Sequence, residues 1–239
     1  MRAALESLLR ARKLDVTLTP FGPSGEALGR VPDQARVAPA GVPALDAALG
    51  GGLRRGHLSD ITGAPSSGRT TIVVRALAAA TARGEAVALV DARDTFDPAS
   101  AAAQGVDLAH LLWVRLDGRD PAIAVRAYSL ILQAGGFGLV VLDVADVAPA
   151  VLRGLPATTW MRLARIVEGS DTVALLVGAD RLARSAGGAT IACESSAAGW
   201  QGTTPRARLF TGLAFTPRVV GSAGSAGSLN ERQPVSHVP

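Results

Sequence analysis

A glycine-rich loop between a predicted strand and a predicted helix constrains the fold of this chain more than any other feature. Residues 63–71 read GAPSSGRTT, after a predicted strand at 57–62 and before a helical pattern over 68–83. They match the phosphate-loop pattern G-x-x-x-x-G-K-[ST] at every position except the lysine, where Arg69 stands. In such loops glycines let backbone amides turn toward phosphates, and the helix N-terminus adds positive potential. The loop therefore predicts a strand, a phosphate-binding turn and a helix in succession.

Strands and helices alternate along most of the chain. The predicted strands are 57–62, 86–91, 111–116, 138–144 and 172–177. The predicted helices are 42–49, 68–83, one after Asp97-Pro98, one after Asp120-Pro121, and 158–168. Several strands are apolar throughout, which is typical of a parallel sheet covered on both faces. We predict an α/β fold with a mostly parallel sheet sandwiched by helices, and we expect strands at 189–195 and 207–215 to add an antiparallel edge or a small subsheet.

The chain divides into three parts by composition. Residues 1–40 are predicted to form a short amphipathic helix and a Pro- and Gly-rich arm, residues 41–218 the core, and residues 219–239 a disordered tail. Ala4, Leu8 and Leu9 share one face of the first helix, so they are candidate partner-binding residues.

Charge and hydropathy bound the function classes. The chain has 24 basic residues, of which Lys13 is the single lysine, and a formal net charge of +4. A GC-rich genome or a basic surface for nucleic acid would each produce this arginine bias, and +4 is too weak to establish the second. No apolar run approaches the roughly 20 residues that span a bilayer, so we expect a cytoplasmic protein. Cys193 has no neighbours at metal-ligand spacing, which predicts a buried small residue and no metal site.

The segments LDAALGGGL, GAPSSGRTT, VDARDTFDPASAAAQGVDLAHLL and LVVLDV together resemble the core of the bacterial RecA recombinases, over roughly residues 41–180. The resemblance implies a RecA-type P-loop core that binds ATP with Mg²⁺ between subunits of a filament and binds single-stranded DNA. It marks these nucleotide-site candidates: Gly63, Ser66, Ser67, Gly68, Arg69, Thr70, Thr71, Asp97 and Asp143.

Four departures from the recombinase pattern fall around the ATP site. Arg69 replaces the phosphate-loop lysine, and Arg93 replaces the glutamate that activates water. Ser100 stands where an aromatic residue contacts adenine, and Gly178-Ala179 stand where an Asn-Gln pair senses the γ-phosphate. A guanidinium can neither accept a proton nor orient water as a carboxylate does. We therefore assign no catalytic residue and expect no hydrolysis; ATP with Mg²⁺ is the cofactor that the loop suggests, and the sequence assigns none firmly.

A compact chain with this layout is similar to the ImuA group, the RecA-like accessory proteins of SOS-induced translesion mutagenesis. That resemblance implies an ImuB-like inactive relative of the Y-family polymerases and an error-prone polymerase as partners. RecA, single-stranded DNA and a second copy of the chain are further candidates, and a membrane is not expected.

Basic residues near the C-terminal end of the core are the DNA-binding candidates. Arg181 and Arg184 lie in the segment that matches the second DNA loop of the recombinases, and Arg206 and Arg208 follow. Trp200 with Gln201 would offer a stacking platform and a hydrogen bond to single-stranded bases. The alternative is an ordinary solvated loop with the tryptophan packed on the core. Arg162 and Arg165 are interpreted as a solvated helix face.

Three functions stay open at this point. The first is a non-hydrolysing accessory protein of DNA-damage tolerance. The second is a DNA-dependent ATPase or recombinase paralogue that uses Arg69 in place of lysine and Asp94 as its base. The third is a protein-interaction regulator of recombination or of cell division, without nucleotide or DNA.

Overall fold

A computed structural model describes residues 36–118, 120–183, 187–202 and 204–220. The helices are α1 (Pro43–Ala48), α2 (Arg69–Ala82), α3 (Pro98–Ala103), α4 (Pro121–Ala134), α5 (Pro149–Arg153) and α6 (Ala157–Val167). The strands are β1 (Val37–Ala38), β2 (Leu53–Arg54), β3 (His57–Gly63), β4 (Val87–Asp91), β5 (Leu111–Arg115), β6 (Leu139–Asp143), β7 (Val173–Gly178), β8 (Thr190–Gln201) and β9 (Leu209–Val219).

The main sheet has seven strands in the order β5-β4-β6-β7-β3-β8-β9. Every neighbouring pair is parallel except β8 and β9, which pair antiparallel. β1 and β2 form a separate antiparallel pair. This architecture confirms the predicted α/β fold.

Helices cover both faces of the sheet, and the two faces have separate cores. Side chains of α1, α2 and α3 lie in one apolar cluster, and those of α4, α5 and α6 lie in the other. Along β4 the buried residues alternate between the two, since Val87 and Leu89 belong to the first cluster and Ala88 and Val90 to the second. A strand that is buried on both faces has no face in contact with water, which explains the apolar runs in the sequence.

Asp97 and Asp120 cap their helices as predicted. The Asp97 carboxylate accepts a hydrogen bond from the Ala99 amide (3.0 Å), and that of Asp120 accepts one from the Ala122 amide (2.8 Å). In each case the following proline is at the start of the helix, where its missing amide hydrogen costs nothing.

The C-terminal strands differ in length and pairing from the prediction. β8 continues the parallel sheet beside β3 through residues 190–193 only, and the rest of it pairs with β9 alone. Residues 194–216 are therefore a two-stranded hairpin that extends past the sheet. β1, at 37–38, lies in the segment that composition assigned to the arm, because two-residue strands carry no periodicity.

Three sequence predictions lie outside the described residues: the N-terminal helix with Ala4, Leu8 and Leu9; Arg184; and residues 221–239 of the tail. Among the helices that are described, none combines the length and the apolar character needed to cross a membrane.

Candidate functional site

The phosphate loop leaves β3 at Gly63 and enters α2 at Arg69, as the pattern predicts. Two of its residues have left-handed backbone, Ser66 with φ of 59° and Gly68 with φ of 93°. The loop is held at its base because the Gly63 amide donates to the Ala179 carbonyl (3.3 Å). The chain thus turns back toward the N-terminus of α2, which is the backbone arrangement that cradles a phosphate.

Arg69, at the lysine position, is folded into the protein and is 7% exposed. Its guanidinium is near the Asp143 carboxylate at the end of β6 and near the Cys193 thiol on β8. Its Nη1 atom and the hydroxyl of Ser67 are buried without a hydrogen-bond partner among the described residues. Thr70, the candidate magnesium ligand, is exposed. The cation of this loop is inside the fold, and the loop surface presents backbone and hydroxyl groups.

Asp143 is a largely buried carboxylate whose ionisation is disfavoured. Burial raises its pKa from 3.8 to about 6, and the nearby carboxylates of Asp91 and Asp146 act in the same direction. The Ala145 amide, which donates to Asp143 over 2.9 Å, and Arg69 oppose this shift without cancelling it.

Phe215 of β9 lies directly over the loop. Its ring packs against Gly68. A Cβ at position 68 would overlap the ring atoms Cγ, Cδ1 and Cδ2 of Phe215. Next to this contact is a cleft of about 500 Å³, whose lining residues are Thr62, Gly63, Ala64, Ser67, Ala179, Ala192, Cys193, Glu194 and Ser195. Cys193 is buried, as the sequence predicts, and burial raises the pKa of its thiol to about 12.

In the segment after β4, the position of the missing glutamate is occupied by Arg93. Arg93 is exposed, and its side chain lies against Gly118. Its backbone amide donates to the buried Asp91 carboxylate (3.2 Å), as does the amide of Phe96 (2.8 Å). Asp91 is therefore occupied in holding this turn together.

Asp94, the alternative base, is bound by Arg115. The Nε and Nη2 atoms of Arg115 each donate to one Asp94 oxygen, both over 2.8 Å. The same guanidinium stacks on Trp113, 4.7 Å from the ring centre, and Phe96 packs edge-on against that ring. The Arg115 hydrogen bonds hold the pKa of Asp94 below its ordinary value, so this carboxylate is a poorer proton acceptor.

Asp97 and Ser100 are turned toward each other. The Ser100 hydroxyl donates to the Asp97 carboxylate, which also caps α3. These bonds lower the pKa of Asp97, and the side chain is engaged by its own helix. The structure therefore brings together the phosphate loop, Arg69 and Asp143, and leaves Asp97 engaged elsewhere.

The hairpin of β8 and β9 carries three of the DNA-binding candidates at its far end. Trp200 is 54% exposed, so the alternative in which this tryptophan packs on the core is wrong. Arg206 and Arg208 are exposed in the turn between the two strands. Arg181 is elsewhere, and its Nε donates to the Ala183 carbonyl (3.1 Å).

Metal ligands are not grouped in the part of the chain that the structure describes. No set of three or more His, Cys, Asp or Glu side chains there is arranged to hold an ion.

Comparison with known proteins places the chain in a family. Residues 26–154 match the RecA N-terminal domain. Protein RecA of Symbiobacterium thermophilum is 39% identical over 127 residues, which are 52% of this chain and 35% of that protein. Protein RecA of Streptomyces avermitilis is 38% identical over 125 residues, 51% of this chain and 33% of that protein. Protein RecA of Lactobacillus delbrueckii subsp. bulgaricus is 35% identical over 150 residues, 62% of this chain and 44% of that protein.

The matched region spans less than half the length of these relatives. It contains the phosphate loop, β4, β6 and the helices between them, which are the elements that position Arg69, Arg93 and Asp143. Since the family match covers more than half of the chain and the sheet has the expected parallel core, the chain belongs to the RecA N-terminal domain family.

Proposed function

We propose that this chain is a RecA-like accessory protein of DNA-damage-induced translesion synthesis that does not hydrolyse ATP. The observation that carries the proposal is the segment after β4, where Arg93 stands at the position of a catalytic glutamate and Asp94 is bound by Arg115 through two hydrogen bonds. A guanidinium at position 93 cannot take the proton of an attacking water, and the ion pair with Arg115 makes Asp94 a poorer proton acceptor.

The residues of the loop fit ATP binding and hydrolysis to different degrees. The backbone of residues 63–68 has the turn that a phosphate needs, and Thr70 is exposed for a magnesium ion. Arg69, however, is buried, and the carboxylate nearest to Arg93 in the chain, Asp94, is held by Arg115. These residues therefore fit phosphate binding better than hydrolysis.

The first test is turnover of ATP by the purified chain, with and without single-stranded DNA. We expect no hydrolysis above the protein-free rate, because loss of a general base costs about 10²- to 10⁴-fold. An active recombinase in the same assay is the positive control. Turnover at recombinase-like rates would overturn the proposal, and loss of that turnover in Asp94→Asn would support the recombinase paralogue instead.

We propose that the end of the β8–β9 hairpin contacts single-stranded DNA. Trp200 offers an exposed ring for stacking, and Arg206 and Arg208 offer charge for phosphates. The sequence from 195 to 217 holds these two arginines and no acidic residue, so no carboxylate in that part of the hairpin opposes a nucleic-acid backbone.

Salt dependence measures this interaction. We expect the affinity for a labelled single strand to fall as salt rises. The double change Arg206→Ala/Arg208→Ala should make the slope of log affinity against log salt concentration less steep, by roughly 0.7 for each phosphate that is no longer bound. Arg162→Ala/Arg165→Ala removes the same charge from an exposed helix face and is the matched control. Binding with no salt dependence, or equal effects of the two pairs, would favour the protein-interaction regulator.

The cellular role is tested by deleting the gene. We expect loss of damage-induced mutations with recombination intact, and co-purification of the full chain with an ImuB-like polymerase relative and an error-prone polymerase. A recombination defect of similar size would contradict the accessory role and support the recombinase paralogue.

A further inference from the structure

The central strand β3 contacts the segment that follows β7 soon after that segment leaves the sheet. The Asp60 carboxylate, through one oxygen, accepts hydrogen bonds from the amides of Leu182 (3.4 Å) and Ala183 (3.2 Å). Arg181, which precedes them, closes a small turn by donating to the Ala183 carbonyl. The outgoing stretch 181–183 is thus fixed to β3 by a side chain.

The same strand holds the returning stretch 187–190. The Ser59 hydroxyl accepts a hydrogen bond from the Ala189 amide (3.1 Å), and the Asp60 amide donates to the Ala189 carbonyl (2.8 Å). Gly188 lies so close to the Leu58 carbonyl that a Cβ would overlap it, and Gly187 lies against the His57 ring in the same way. The chain returns along β3 in van der Waals contact with its backbone.

Ser59 and Asp60 are unusual residues for the middle of a sheet. They are 0% and 3% exposed, and burial of a polar group costs free energy unless it is hydrogen-bonded. The hydrogen bonds just described join both side chains to this one segment. The strand itself would accept an apolar residue at either position. The hydrogen bonds to the segment after β7 therefore explain why these two side chains are polar.

We infer that Ser59 and Asp60 are positioning residues that set the path of stretches 181–183 and 187–190 and tie it to the phosphate loop, which leaves the same strand at Gly63. Gly63 follows Asp60 by three residues, and its amide bonds Ala179 at the start of the segment. A displacement of β3 therefore moves both the loop and the segment. This positioning role needs neither ATP nor DNA.

The surroundings of Asp60 give the link a pH dependence. Burial raises its pKa from 3.8 to about 6, while the two amides and the charge of Arg181 oppose this shift. Asp60 in turn acts electrostatically on the buried Tyr128 hydroxyl of α4, where it adds to the effect of burial in raising the pKa of Tyr128. Because a water-exposed aspartate loses its proton near 3.8, opening that exposes Asp60 becomes harder as the pH falls from 7 toward 4.

Amide hydrogen exchange of the full chain tests the inference residue by residue. We expect Asp60→Ala to lower the protection of the Leu182 and Ala183 amides by about tenfold or more, since it removes their acceptor. Asp60→Asn keeps an acceptor oxygen and should retain that protection. Ser59→Ala should affect the Ala189 amide. Asp107→Ala is the matched control, because its carboxylate accepts from the Ala109 amide (2.9 Å) on an exposed turn.

The pH profile supplies a readout that a merely structural residue would not move. After correction for intrinsic exchange, protection of the Ala183 amide in the wild type should rise as the pH falls through about 6. In Asp60→Asn this rise should be smaller, because only the contribution of other buried carboxylates such as Asp143 remains. Unchanged exchange at 182–183 in a folded Asp60→Ala protein would overturn the inference. Equal losses in the Ala and Asn variants, or the same pH profile in Asp60→Asn and wild type, would do so as well. If Asp60→Ala does not fold, the comparison of Asp60→Asn with wild type decides.

Discussion

Gly68→Ala should lower the free energy of unfolding by about 3 kcal/mol, which corresponds to a fall in Tm of roughly 6–12 °C for a chain of this size. Two costs add. The φ of 93° at Gly68 is unfavourable for a residue with a Cβ, by about 1–2 kcal/mol. The new methyl group also collides with the Phe215 ring near its attachment to the backbone, so β9 has to shift, which costs about 1–3 kcal/mol.

Gly84→Ala separates the two costs. Gly84 also has positive φ, 77°, and a Cβ there would meet no atom within 4 Å. It should therefore show the backbone cost alone, about 1 kcal/mol in urea or thermal unfolding. The double change Gly68→Ala/Phe215→Ala should cost less than the sum of its parts, because the collision is gone. Equal losses in Gly68→Ala and Gly84→Ala would show that the ring contact has no energetic weight.

This outcome bears on how the phosphate-loop pattern is interpreted. The second glycine of the pattern is commonly explained by the approach of a phosphate to the backbone. Here the Phe215 ring also requires a residue without a side chain at position 68, because it occupies the place of a Cβ. The glycine would thus be needed for folding even in a chain that binds no nucleotide, so the pattern alone is weak support for ATP binding.

Asp143→Asn should raise the free energy of unfolding at pH 7 by about 3 kcal/mol and leave it nearly unchanged near pH 4. The folded protein holds the Asp143 proton up to a pH of about 6, whereas the unfolded chain releases it near 3.8. In this window the native state binds more protons, so stability falls as the pH rises from about 4 to 6. A shift of about two pH units corresponds to roughly 3 kcal/mol, and asparagine, which does not ionise, removes this loss.

Urea unfolding at several pH values, from about 4 to about 7.5, measures the effect. Asp171→Asn, an exposed carboxylate on the loop before β7, is the matched control and should change stability little. Asp60→Asn should act in the same direction as Asp143→Asn, since its pKa is raised by burial too. If Asp143→Asn changed stability equally at both ends of this pH range, ionisation of Asp143 would not be the cause of the loss of stability at higher pH.

The sequence predicted most of the core because the signals there are local. Strands buried on both faces are largely apolar, as β7 and residues 87–90 of β4 are, and Asp-Pro pairs mark helix starts through a cap two residues away. The phosphate loop is contiguous, so its place between β3 and α2 follows from nine residues.

The contacts that decide the site join residues far apart in the chain, and no local pattern announces them. Phe215 reaches Gly68 only because β8 and β9 extend the sheet beside β3. Arg115 reaches Asp94 because β5 lies next to β4, and this pairing makes a candidate base one half of an ion pair. The partners of Asp60 are likewise more than a hundred residues away, in the segment after β7.

The position of β3 also bears on how the protein is made. β3 is synthesised before any other strand of the main sheet, yet His57 pairs with Val173 and Asp60 pairs with Thr190. Such long-range parallel pairing is slow, because much of the chain loses conformational entropy before the stabilising strand contacts form. During synthesis β3 and the phosphate loop behind it remain without neighbouring strands until β7 and β8 leave the ribosome. The strand and loop by which this chain is most easily matched to its family are therefore the part that a chaperone would meet unpaired for longest.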